Sequence, residues 1–189
     1  SWNVRGAVSY GFPVKWIKSN LNLNASMTYN ESPSIMDGVK NISSGYYYNY
    51  GAVLGSNISE KIDFTFGYNG GYNIARNSIQ RQGNKDNRYL THSARGRIKW
   101  VAWLGFTLSG AANYMRYKGI TDQFNEEYLI CNVYLGKKLF RNQRGEINVG
   151  VNDLLNQNKS FARNIQETYI ENVTNKVLGR YWGFQFTYN

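Results

Sequence analysis

The run Leu178-Gly179-Arg180-Tyr181-Trp182-Gly183-Phe184-Gln185-Phe186-Thr187-Tyr188-Asn189 alternates apolar and polar residues with a period of two. Leu178, Trp182, Phe184, Phe186 and Tyr188 share one side of the strand this predicts. Gly179, Tyr181, Gly183, Gln185 and Thr187 share the other. The first side is apolar and largely aromatic, interrupted by Arg180 near its start; the second is small or polar. Such a strand offers one face to an apolar medium and the other to water.

The same alternation runs back through the chain. Trp2, Val4, Gly6, Val8, Tyr10 and Phe12 oppose Asn3, Arg5, Ala7, Ser9 and Gly11, and Leu21, Leu23, Ala25, Met27 and Tyr29 oppose Asn22, Asn24, Ser26 and Thr28. Further apolar faces begin at Tyr46, Ile62, Leu90, Leu104, Leu129 and Ile147. Short turns are expected at 13–20, 57–61, 100–103 and 141–145, and longer polar connections at 30–40, 76–88, 118–127 and 153–176. Soluble strands run about five or six residues, whereas these persist for about ten, the length a tilted membrane-crossing strand needs. Alternating short and long connections complete the expectation: an all-β, antiparallel transmembrane β-barrel of the outer-membrane type, with about nine strands.

Composition agrees. The 189 residues include 16 Tyr, 9 Phe, 5 Trp and 19 Gly but only 2 Pro, a mixture of strand and turn formers. The mean hydropathy of -0.54 and the lack of a long apolar run exclude a membrane-spanning helix. They do not exclude a barrel, in which each lipid-facing residue alternates with a polar one. The single cysteine, Cys131, excludes an internal disulfide and reads as a small hydrophobe on a strand. Ser1 to Val4 already alternate, so no signal peptide is read here and the start is taken as a mature end or a cut.

The net charge of +10 raises the possibility of a nucleic-acid partner. The basic residues form no single stripe, however: Lys15, Lys18, Lys61, Arg76, Arg81, Lys85, Arg88, Lys137, Lys138, Arg141 and Arg144 lie in turns and at strand ends. That distribution suits the phosphate-rich lipid and lipopolysaccharide of an outer membrane, or a solvated rim, and no nucleic acid is expected.

Aromatic residues sort by height. Trp16, Trp100, Trp103 and Phe140 lie by the short turns, while Tyr29, Tyr46, Tyr72 and Tyr114 lie toward the long connections, as two interfacial girdles would. Leu54 and Leu108 are expected near the midplane between them. With the short turns on the inner side, the first and last strands both run inward, which requires an odd number of crossings. Single-chain bacterial barrels have even numbers and lipid tolerates no open edge, so residues 1–189 are read as the C-terminal portion of a larger barrel. Alternatively Ile165 to Asn172 add one strand and close a small barrel of about ten.

Two resemblances refine this. Gly183, Phe186 and Tyr188 match a terminal pattern of glycine, two spacers, hydrophobe, spacer and aromatic, and resemble the closing strand of Gram-negative outer-membrane barrels. That implies recognition by the barrel-assembly machinery. The run Val151 to Phe161, with Asp153, Leu154, Leu155, Asn156, Gln157 and Asn158 as its most specific part, resembles the last loop of the outer-membrane β-barrel family related to TonB-dependent receptors. The resemblance extends over essentially the whole chain as the C-terminal half of such a barrel. It implies a roughly 22-stranded barrel with an N-terminal plug and a TonB-contacting box, importing a ligand too large for porins. Neither plug nor box is in this sequence. By local chemistry, Asp153 and Asn156 suit a turn or cap, with Leu154 and Leu155 packing the loop onto the rim.

No catalytic, metal or cofactor constellation is read. His92 and Ser93 are adjacent on a strand and point to opposite faces, so they cannot act as base and nucleophile. Arg95, Arg97 and Lys99 form a basic column on a polar face; they either attract an acidic plug or anionic solute, or are simply solvated or paired with Asp63. The expected function is ligand uptake through a TonB-dependent-receptor-like barrel. The alternative is a scaffold barrel joined to other outer-membrane subunits without transport, and an enzyme ranks third.

Overall fold

The alternating segments form long strands joined by tight turns. The computed structural model describes residues 1–36, 38–56, 58–79, 87–119, 125–140, 142–158, 160–165, 170–175 and 178–188. The strands are β1 (Trp2–Val14), β2 (Ser19–Met36), β3 (Val39–Ser56), β4 (Ile62–Asn77), β5 (Asn87–Val101) and β6 (Phe106–Gly119), followed by β7 (Glu126–Leu139), β8 (Gly145–Asn152), β9 (Ser160–Ile165), β10 (Ile170–Asn175) and β11 (Tyr181–Tyr188). Nine of them make one antiparallel sheet in the order β1-β2-β3-β4-β5-β6-β7-β8-β11. Each strand therefore pairs with its neighbour in sequence until the β8–β11 join. The sheet is open, with β1 and β11 at its edges.

Burial is inverted relative to a water-soluble sandwich. Among the described residues Ala75 is the buried hydrophobe, whereas Asn41, Ser43, Asn73, Thr107 and Asp153 are buried polar residues. Large apolar side chains instead cover one face: Val8, Leu135, Phe184 and Trp182 are 67%, 66%, 71% and 78% exposed. An apolar surface spread over nine strands is stable only against hydrocarbon. Registers keep it continuous. Leu108 partners Leu135, Gly110 partners Val133 and Ala112 partners Cys131, which puts the apolar residues of β7 on the same face as those of β6.

The two aromatic levels are visible once strands are counted from the turns. Tyr29 stands ten residues above Ser19, Tyr46 ten above Ser56, Tyr72 ten above Ile62 and Tyr114 eight above Phe106. Tyr29 and Tyr46 are register partners, but Tyr114 partners Ala94. That stagger is what strand tilt produces when a level ring crosses hydrogen-bonded rows. Trp16, Trp103 and Phe140 mark the opposite level, 85%, 75% and 60% exposed.

Several sequence expectations are corrected. The long connection expected at 30–40 is zippered as the outer part of a hairpin, paired up to Met36 and Val39. Gly38 turns it, with φ 78°, and Pro33 is tolerated because β1 pairs β2 only as far as Glu31, leaving Pro33 on an edge. Asn41 stitches the hairpin to β4, its Nδ2 donating to Ser34 Oγ at 3.3 Å and to Asn77 Oδ1 at 3.1 Å. Trp100, expected in a turn, pairs with Ile62 inside β5. The turn that follows is a short 3-10 segment, Trp103–Gly105, in which Leu104 leaves its expected strand position for a left-handed conformation (φ 56°). Leu54 and Leu108 lie two residues from the turn-side ends of their strands, not at the midplane. Ile165 to Asn172 do not add a crossing: β9 and β10 pair only with each other, and 166–169 lie outside the described residues. So do Arg81, Lys85 and Arg141.

Val133 is the better midplane probe, being outward on β7 and six residues above the turn-side end of that strand. Val133→Arg is expected to cost about 2–4 kcal/mol of stability in lipid bilayers, because its charge meets hydrocarbon. Ser9→Arg, exposed on the inward face of β1, is expected to cost under about 1 kcal/mol; urea titrations in vesicles measure both.

Candidate functional site

The inward face is polar and changes character across the sheet. On β2 to β4 it is mainly an asparagine surface, with Asp63 its one carboxylate near the turn side among the described residues: Asn24 and Asn69 approach each other over Gly51, where a Cβ would stand 2.6 Å from Asn69 Oδ1 and 2.9 Å from Asn24 Oδ1. On β5 to β8 it is charged. A cavity of about 240 Å³ is lined by Arg97 and Lys99 of β5, Ser109 of β6, Asn132 and Tyr134 of β7, Glu146 and Asn148 of β8 and Gln185 of β11. Side chains from both β5 and β11 line one cavity only if the sheet curves with its polar face inside.

Of the basic column, Lys99 is paired, and its partner is not its register neighbour Asp63. Its Nζ lies 3.5 Å from Glu146 Oε2, while Thr107 Oγ1 donates to Glu146 Oε1 at 3.2 Å. Asp63 instead accepts from Ser56 Oγ at 3.3 Å. Arg95 lies on the same inward face, its stem packed over Gly67, and Arg97 turns into the cavity. Curvature brings Glu146 to Lys99 from three strands away. Glu146 was missed from sequence, where its one signal was a carboxylate at an inward position of β8.

The outward tyrosines are anchored at the loop-side level. Tyr29 Oη donates to Glu31 Oε2 at 2.6 Å and Tyr114 Oη to Glu127 Oε1 at 2.9 Å. Rings of Tyr29 and Tyr46 meet at 4.9 Å, and those of Tyr48 and Tyr72 at 6.5 Å. At the turn side Lys137 Nζ lies 4.0 Å from the Phe106 ring centroid and donates to the Leu104 carbonyl, its stem lying along apolar surface. His92 is outward on β5 and bonded to the Tyr68 hydroxyl, apart from the charged cavity.

The loop after β8 is a knot of side chain to backbone bonds. Asp153, 2% exposed, accepts the Gln157 and Asn158 amides on its two carboxylate oxygens, both at 2.9 Å. Asp153 and Asn156 adopt positive φ, 51° and 53°, which these two residue types tolerate best after glycine. The knot covers the part of β7 that outruns β8: the Leu154 amide donates to the Cys131 carbonyl at 2.7 Å, the Asp153 amide to Asn132 Oδ1 at 2.9 Å and the Leu129 amide to Gln157 Oε1 at 3.0 Å. It also receives the last strand, with the Arg180 amide on Asn156 Oδ1 at 2.9 Å and Asn158 Nδ2 on the Leu178 carbonyl at 2.9 Å. Leu154 and Leu155 stay 43% and 45% exposed and do not bury themselves on the rim.

On β11, Gly183 faces Gly150 and leaves room for the Tyr134 ring, whose Oη would lie 3.3 Å from a Cβ there. Phe186 pairs with Ile147 on the outward face. Tyr188 reaches the turn-side level, its ring edge-on to Phe140 at 5.9 Å.

The description "Outer membrane protein beta-barrel family" matches residues 39–188. The chain belongs to this family. It is a β-barrel protein of the bacterial outer membrane, and the match does not extend to TonB-dependent uptake. No curated protein and no solved structure matches the chain. In an outer-membrane barrel short turns face the periplasm, so this barrel's β11 descends to the periplasmic rim at Tyr188 and the Asp153 knot lies at its outer end.

Asp153→Ala would leave two amides of this buried knot without acceptors. We expect a loss of about 3 kcal/mol in unfolding from lipid vesicles, and a smaller loss for Asp153→Asn, which keeps one oxygen in place.

Proposed function

We propose that the nine strands are the C-terminal portion of a larger barrel that takes up a ligand across the outer membrane, in the manner of TonB-dependent receptors and without catalysis of its own. The observation that carries uptake is the charged, concave stretch of inward wall, where Arg97 stands beside the Lys99–Glu146 pair and Arg95 follows on the same face over Gly67. A wall of that kind draws anionic groups into a water-filled lumen. Continuation of the sheet is supported by its two open edges and its nine strands, because lipid leaves no unpaired backbone edge unsatisfied. The barrel-assembly machinery is the proposed reader of Gly183, Phe186 and Tyr188, and TonB the proposed partner of a region upstream.

A scaffold role is the second reading, and the β2–β3 hairpin favours it. Each of these strands has 18 residues, about 60 Å when extended, well beyond what a crossing needs. The surplus forms a paired arm on the outer side, suited to another outer-membrane subunit.

The native protein is expected to have an intact mass above 21.7 kDa and to contain a plug and a TonB box upstream. A native species of that mass overturns the larger barrel, and a longer chain without plug or box favours the scaffold. In planar bilayers, Arg95→Glu with Arg97→Glu is expected to shift ion selectivity toward cations without changing the heat-modifiable mobility of the folded barrel. Unchanged selectivity removes the lumen reading.

A further inference from the structure

The outward face of β4 to β6 carries something the girdles do not explain. Above the tyrosine level, Arg76 of β4, Arg88 of β5 and Arg116 and Lys118 of β6 all occupy outward positions and all are exposed. The registers bring them together. Arg88 partners Ile74, two residues from Arg76, while Lys118 partners Leu90 and Arg116 partners His92. Glu127 shares this rim, 3.7 Å from Arg116 Nε, and Glu31 of β2 is held by the Tyr29 hydroxyl. Among the described residues, four cations therefore share this patch with two carboxylates, Arg76 also standing over the Tyr46 ring.

Below these cations β2 to β7 share a groove of about 510 Å³ on the apolar face, which reaches Leu21 and Leu54 toward the turn side and Leu129 of β7. Ala94, Gly96 and Ala112 make its floor, and Phe66, Tyr68 and Tyr114 stand along its sides. Six residues of β5 separate Arg88 from Ala94, about 15 Å of depth at barrel tilt and about one leaflet of hydrocarbon. The groove faces lipid, so what fills it is hydrocarbon, and what lies over it is anionic by charge complementarity.

We infer that this surface binds one phosphorylated, multiply acylated glycolipid of the outer leaflet, with phosphate on Arg76, Arg88, Arg116 and Lys118 and an acyl chain in the groove. The inference rests on the barrel's placement and orientation, not on uptake. Arginine donates in a planar fork that matches phosphate oxygens, and Lys118 adds a point charge. The occupant is the lipid A part of lipopolysaccharide; a glycerophospholipid offers fewer phosphates and fewer chains for the same surface.

Full-length protein is extracted in mild detergent, delipidated and titrated with purified lipid A or with phosphatidylglycerol, and bound lipid is counted by native mass spectrometry. Wild type is expected to bind one lipid A more tightly than phosphatidylglycerol. Arg76→Gln, Arg88→Gln and Lys118→Gln together are expected to weaken it about a hundredfold, at about fivefold per cation. Lys118→Gln alone gives a partial loss if the triple variant fails to fold, as judged by heat-modifiable mobility. Ala94→Phe, which fills the groove, is expected to weaken lipid A binding with all four cations intact, and Arg5→Gln on the inward face of β1 to leave it unchanged. Equal affinity for the two lipids, or a folded triple variant that binds lipid A like wild type, overturns the site. Either result leaves the selectivity test of the lumen untouched.

Discussion

A backbone amide or carbonyl in hydrocarbon has no water to turn to, and the rest of this structure follows from that constraint. It accounts for strands of 13 to 18 residues from β1 to β7, each paired along most of its length. It also explains where side chains replace strands. β8 has only 8 residues and leaves the outer part of β7 without a ladder partner. The Asp153 to Asn158 knot supplies acceptors and donors there in place of a strand, then hands the chain to β11. The family-like loop is thus part of the wall, built from polar side chains at the level where water begins.

The two faces obey opposite rules because their solvents differ. Outside, aromatic and aliphatic groups remain exposed, with tyrosine hydroxyls tied to carboxylates at one rim and a lysine stem laid over Phe106 at the other. Inside, asparagine and glycine predominate on β2 to β4 and charge gathers on β5 to β8. Glu146 offsets one member of the basic column and orders it against Thr107, so the cationic character of the lumen rests mainly on Arg95 and Arg97.

Much of this was legible in the residues. Period-two alternation identified each crossing of the sheet, and parity survived even where a boundary was misplaced: Phe106 and Leu108 keep the face predicted for them although Leu104 turns away. The connection at 30–40 was misread because Pro33, serine and Asp37-Gly38 are loop signals, and only knowledge of how far β1 extends reveals that Pro33 sits on an edge. The end of β5 was misplaced by two residues at Trp100 for a similar reason, since an aromatic at a rim marks a level and not a strand end.

By itself the sequence determined that the chain has two chemically opposed faces, strands long enough to cross a bilayer, and aromatic levels at both ends, because all of these depend on the spacing of residues along one strand. Tertiary structure alone decided which groups meet across strands, Lys99 with Glu146 and not Asp63, and Asn41 with β4, and that the four outward cations fall in one staggered row. Register, stagger and curvature set those distances, and each is a relation between strands that no single strand encodes.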